Sequence, residues 1–142
     1  MRSRTMLRAR LSRPRTKLTV VGVGLVTIRM ELRPDRGPSH EVEFLVDSGA
    51  TLSVVPWNVW RALDFRPKRV MRFALADGRT IRRRVSECRF VYQGIDAVSP
   101  VVLGQRKDAA LLGTLTLESL GLVLNPFERR LTPMRMLLAR QS

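Results

Sequence analysis

Phe44-Leu45-Val46-Asp47-Ser48-Gly49-Ala50-Thr51 is the stretch best arranged for chemistry: an apolar run delivers one carboxylate, followed at once by a hydroxyl residue and a glycine. A carboxylate at the end of an apolar strand has a high desolvation cost unless it is hydrogen-bonded or shares a proton. Asp47 is therefore the leading functional candidate. Gly49 allows the sharp turn that brings backbone amides close to whatever lies over that carboxylate. Other chemistry has less to build on. His40 is the only histidine, in a Pro-Ser-His surface loop, which leaves a serine triad or a multi-histidine metal site without parts. Cys88 lies in an apolar strand and reads as packing. Asp35-Arg36-Gly37 lacks the apolar lead-in and the hydroxyl. Arg82-Arg83-Arg84 offers contacts to phosphate or acidic substrate, but adjacent residues on a strand point to opposite faces. No phosphate-binding or dinucleotide glycine fingerprint is present.

These residues resemble the active-site motif of aspartic proteases, apolar-apolar-Asp-Thr/Ser-Gly-Ala/Ser. The chain around them is similar to the single-domain, retroviral-type (retropepsin-like) branch over residues 18–134. Two later features strengthen the likeness: Asp77-Gly78, a turn thirty residues on, and Leu111-Leu112-Gly113, which opens a short helical stretch ending at Gly121. The resemblance implies a mostly β fold, a closed acid-protease β-barrel with one or two short helices, active as a homodimer. It implies an aspartic endopeptidase acting on polypeptides without metal or cofactor, because two carboxylates sharing a proton supply both acid and base. Only one motif is encoded, so Asp47 must meet its symmetry mate across a two-fold axis. By the same resemblance Ser48 hydrogen-bonds across the dimer, the Gly49 amide bonds the carboxylates, and Ala50 and Thr51 complete the turn. Ala76, Asp77 and Gly78 become the flap that closes on substrate, and Leu111, Leu112 and Gly113 the second apolar-apolar-Gly motif. Thr114 departs from the pattern where retroviral enzymes carry Arg. The flap tip departs too, with Ala76-Asp77-Gly78 in place of several glycines.

The elements that must position these groups can be read in order. Leu18 to Arg33 alternates as one long strand, with Gly22 and Gly24 marking a bulge or close approach. Pro34 to Pro38 is dense in turn formers, and Glu41 to Asp47 returns antiparallel with Val42, Phe44 and Val46 facing inward. Thr51 to Val55 leaves the turn as a strand. Pro56 starts a helix through Leu63, whose Trp57, Val59, Trp60 and Leu63 cover one face. Val70 to Ala76 and Arg79 to Val85 flank Asp77-Gly78, a pair that suits a type I′ hairpin turn. Glu87 to Tyr92 and Ile95 to Leu103 pair across Gln93-Gly94, with Pro100 suggesting an edge or bulge. A helix over Thr114 to Leu120 ends at Gly121, and Leu122 to Leu124 forms a buried strand. Arg130 to Met134 and Met136 to Leu138 make an apolar C-terminal segment, which in the resembling family pairs with a second subunit.

Composition bounds the alternatives. The chain has 142 residues, 44% of them hydrophobic, which suits one globular domain. Its longest apolar run is too short to span a bilayer and lacks a convincing signal cleavage site. A single cysteine excludes an internal disulfide framework and permits a reducing compartment, so a cytoplasmic location is expected. The net charge is +14, and seven cations with no acid fall in residues 1–17, a basic tail expected to be disordered beside a domain over 18–142. Nucleic acid enters this reading only through that tail. Two alternatives stay open: a non-catalytic dimeric binding module on the same fold, and a basic nucleic-acid-binding protein.

Overall fold

The computed structural model describes residues 25–135 and residue 138. The basic tail, the part of the first expected strand up to Gly24 with its proposed bulge, and Met136 and Leu137 lie outside the described residues. In chain order the elements are β1 (Thr27–Arg33), β2 (His40–Val46), β3 (Ser53–Val55), α1 (Trp57–Ala62), β4 (Arg69–Ala74) and β5 (Thr80–Tyr92). They continue with β6 (Ile95–Leu103), β7 (Leu111–Leu112), α2 (Thr114–Ser119), β8 (Leu122–Asn125) and β9 (Arg130–Pro133). Among the described residues the fold is thus mostly β, with two helices of six residues each. Among the described residues no helix is long and apolar enough to cross a membrane.

Seven strands form one sheet in the order β1-β2-β7-β3-β6-β5-β4, and β1 also pairs with β5. Pairing therefore runs in a circuit of six strands, with β4 left at an open edge. β2 runs antiparallel to β1, with Ile28 opposite Phe44, and parallel to β7, with Val46 opposite Leu112. β3 runs parallel to β6 and antiparallel to β7. The short β8 and β9 make a separate antiparallel pair.

Period-two patterning decides what is inside. Val42, Phe44 and Val46 of β2 are buried while Glu41 and Glu43 are exposed, as alternation across a strand requires. Phe44 and Phe90 are fully buried and pack with ring centroids 5.8 Å apart at a tilt of 50°, each ring contributing about 1.5–3 kcal/mol of apolar burial. Met30, Leu32, Val55, Val101, Leu103 and Leu112 join them in one core. The helix α1 closes one side with Val59 and Trp60, whose indole N–H donates to the Gly104 carbonyl at 2.8 Å. Cys88 is buried in this core, and desolvation pushes its thiol up to about 12, so no thiolate nucleophile exists near neutral pH.

Several elements differ from the sequence reading. The strand expected to stop at Val85 continues without a break to Tyr92, because β5 bridges β4 and β6 along one ladder. Pro56 caps α1 instead of starting it: its ψ of 153° is extended, and its carbonyl accepts the amides of Val59 and Trp60. Pro100 lies in the interior of β6, one residue before pairing with β3 begins, so its missing N–H breaks no rung there. The positive-φ pair of a type I′ turn occurs at Gln93-Gly94, with φ of 48° and 81°. Asp77-Gly78 instead closes a three-residue loop: Leu75 bonds Arg79 through N–H to O, Gly78 donates to the Leu75 carbonyl, and only Gly78 has positive φ, at 88°.

Candidate functional site

The apolar lead-in of β2 ends at Val46, and Asp47 turns out of the strand half-buried while Ser48 and Gly49 are exposed. The backbone at this point is pinned from both sides. The Asp47 amide donates to the Leu112 carbonyl at 3.0 Å, and the Val46 amide donates to Val26 at 2.8 Å. The chain then doubles back: the Ala50 amide donates to the Asp47 carbonyl at 3.1 Å, and the Gly49 amide donates to Oδ1 of Asp47 at 2.9 Å. That last bond holds the carboxylate over the turn through Oδ1, and among the described residues Oδ2 accepts no hydrogen bond. A β-carbon on Gly49 would come within 3.3 Å of Oδ1, so the close approach is what the glycine permits.

The second apolar-apolar-Gly motif is brought against this loop. Leu111 and Leu112 run parallel to Leu45 and Val46, and the chain then crosses under residues 50–52. Thr114 and Leu115 donate their amides to the carbonyls of Ala50 and Thr51 at 2.9 and 3.0 Å. Backbone bonds thus tie the first turn of α2 to the Asp47 loop, at the position where the resembling enzymes have an arginine. Gly113 has an ordinary φ of −93°, but a β-carbon there would meet the carbonyl carbon of Leu52 at 2.6 Å.

Beneath the crossing lies a network the sequence reading missed. Gly113 donates its amide to Ser53 Oγ at 2.9 Å, Ser53 Oγ lies 2.6 Å from Thr116 Oγ1, and Ser99 Oγ lies 2.9 Å from the same atom. All three hydroxyls have zero exposure. They satisfy one another in the core and join β3, β6 and α2 under the loop. The signal in the sequence was faint: two serines and a threonine at inward positions of otherwise apolar elements. Thr116→Val keeps the shape and removes the shared hydroxyl; thermal or urea unfolding should register a loss of about 1–3 kcal/mol. Thr116→Ser should retain most of the stability.

Ala76, Asp77 and Gly78 stand apart, at the tip of the β4–β5 hairpin. Among the described residues no hydrogen bond joins this tip to the Asp47 loop. Asp77 braces the tip internally: Oδ1 accepts the Arg79 amide at 3.0 Å and Oδ2 its guanidinium at 2.7 Å. Those bonds hold the Asp77 carboxyl below the usual carboxylate range. A groove of about 280 Å³ opens beside the Asp47 loop, with Ser48, Thr114, Leu117, Leu122, Leu124 and Met134 in its lining.

A family model described as "Aspartyl protease" matches residues 35–122, more than half of the chain and including both the Asp47 loop and Gly113. The chain is similar to the solution structure of Simian Foamy Virus (mac) protease, with 23% sequence identity over 65% of this chain and 91% of that one, at a TM-score of 0.47. Comparison with curated proteins gives no match.

Proposed function

The chain belongs to the aspartyl protease family, and from that premise we propose that it is an aspartic endopeptidase whose dyad forms when Asp47 of two copies meet across a two-fold axis. The observation that carries this reading is the Asp47 loop, where a half-buried carboxylate takes one backbone amide on Oδ1 and is held on both sides by main-chain bonds. The motif occurs once, so one chain brings one carboxylate. A second copy supplies the other, and the apolar groove beside Ser48 is where that copy docks. The circuit of six paired strands supports reading the sheet as the closed acid-protease barrel.

In this mechanism the two carboxylates share one proton, since two like charges in contact cannot both ionise readily. The ionised member takes a proton from water, whose oxygen attacks the peptide carbonyl carbon. The protonated member gives its proton to the carbonyl oxygen, and collapse of the tetrahedral intermediate expels the amine as it is protonated. Ser48 holds the two loops in register across the axis, and the Gly49 amides keep both carboxylates coplanar. Ala76, Asp77 and Gly78 cover the bound polypeptide.

Hydrolysis of a peptide library from acidic to neutral pH, blocked by a statine peptide, tests the activity. Dilution tests the shared dyad: specific activity should fall together with the dimer fraction measured by sedimentation. Full activity in a solution that sediments only as monomer would refute the two-chain dyad.

A further inference from the structure

The β4–β5 hairpin carries an arginine face that the hydrolytic site does not use. Opposed residues of an antiparallel pair share a face, and the register sets Arg72 against Arg82 and Val70 against Arg84. Arg83 points the other way and pairs with Asp108, at 3.0 Å from Nε to Oδ2. Arg84 lies over the Trp60 ring at 5.2 Å, while Arg61 and Arg106 lie over the Trp57 ring at 4.7 and 4.2 Å. Among the described residues Arg61, Arg72, Arg82, Arg84 and Arg106 form no ion pair. The nearest acids along the chain, Asp64, Asp77, Glu87 and Asp108, are engaged by Arg66, Arg79, Lys68 and Arg83. Unopposed cations held together in this way have a standing electrostatic preference for an anionic partner.

The backbone beside them is open. β4 is the last strand of the sheet. Because Leu75 and Arg79 are a bonded pair, alternation along the ladder turns the N–H and C=O of Val70, Arg72 and Ala74 away from β5. Val70 is 51% exposed beside the arginines, and with Arg82, Arg83, Arg84, Leu103 and Gln105 it lines a hollow of about 100 Å³. A row of free amides and carbonyls is matched by another peptide backbone and not by a phosphodiester. The Trp57 ring already carries guanidinium groups, which leaves it unsuited to stacking a base.

We propose that β4 takes up an extended acidic segment of a partner polypeptide as an added strand, with carboxylates at alternate positions meeting Arg72, Arg82 and Arg84. Arginine forks suit carboxylates in bidentate geometry. This docking is independent of hydrolysis at Asp47. The test uses the full-length chain carrying Asp47→Asn, so that no cleavage can consume the probe. A fluorescein-labelled octapeptide of alternating Glu and Thr is titrated by anisotropy against a single-stranded oligonucleotide of equal charge. Saturable peptide binding is expected, weakening at least about tenfold in Arg72→Glu/Arg82→Glu. It should weaken similarly in Val70→Pro, which removes an outward N–H without breaking a rung of the ladder. Should Val70→Pro not fold, the charge reversal of two exposed side chains decides. Equal binding by the charge-reversed chain would transfer the effect to the basic N-terminal segment and overturn the proposal. Binding of the oligonucleotide but not the peptide would overturn it in favour of a nucleic-acid face. Binding of neither would leave the arginines as guards against edge-to-edge aggregation, which also overturns it.

Discussion

Asp47→Asn is expected to lower peptide hydrolysis by a factor on the order of 10⁴ or more, the scale seen when a central catalytic group is removed. Folding should be unaffected, for a structural reason. The asparagine carbonyl can accept the Gly49 amide where Oδ1 now accepts it at 2.9 Å, and the Leu112 and Ala50 backbone bonds do not involve the side chain. Only the capacity to ionise and share a proton is lost. The proposed two-chain dyad adds a sharper expectation. Mixing wild-type chain with excess Asp47→Asn chain should suppress activity well beyond dilution, because each mixed dimer carries one competent carboxylate. Undiminished cleavage by the variant alone would remove Asp47 from the chemistry. Activity falling only in proportion to wild-type content would mean that each chain works by itself.

Gly113→Ala should be the most damaging small change to the scaffold, by about 3 kcal/mol, the upper part of the range for overpacking. The new methyl would sit 2.6 Å from the Leu52 carbonyl carbon and 2.7 Å from the Thr51 oxygen. Both are backbone atoms, and the Thr51 oxygen accepts the Leu115 amide, so they cannot swing aside as a side-chain end does. A drop in melting temperature of about 10 °C is expected for a domain of this size, and activity should fall with it, since the displaced residues continue into the Asp47 loop. Gly121→Ala makes the contrast. Its φ of 71° strains any other residue, yet nothing lies within 4 Å of an added β-carbon, so a cost of about 1 kcal/mol is expected. Equal melting temperatures for the two variants would show that the crossing relaxes and that its closeness is not what requires glycine.

Why Gly113 matters differently from Gly121 illustrates how far one-dimensional pattern reaches. A glycine past the end of a helix declares itself by position, and Gly121 could be assigned as the helix stop. Gly113 could be placed in a motif, but its reason is the backbone of Thr51 and Leu52, distant in sequence, passing directly over it. Ser53, Ser99 and Thr116 make the same point. Each is an unremarkable hydroxyl in its own element, and only the packing of β3, β6 and α2 turns them into one buried network. The arginine run shows the converse. Arg82-Arg83-Arg84 reads as split between two faces, and it is split. The partner strand then adds Arg72 to the Arg82 side and restores a patch.

What the chain's own order of residues determined was local: alternation placed Val42, Phe44 and Val46 inward, an apolar run ended at Asp47, and glycine allowed the turn that puts an amide on its carboxylate. These follow from side-chain period and backbone freedom, which act over a few residues. What the tertiary structure decided was every relation between distant segments: β5 as one ladder, the carriage of Gly113 beneath the Asp47 loop, the shared hydroxyls, and the open edge of β4. Register and crossing depend on which faces must be buried together, and that is settled by the whole core at once.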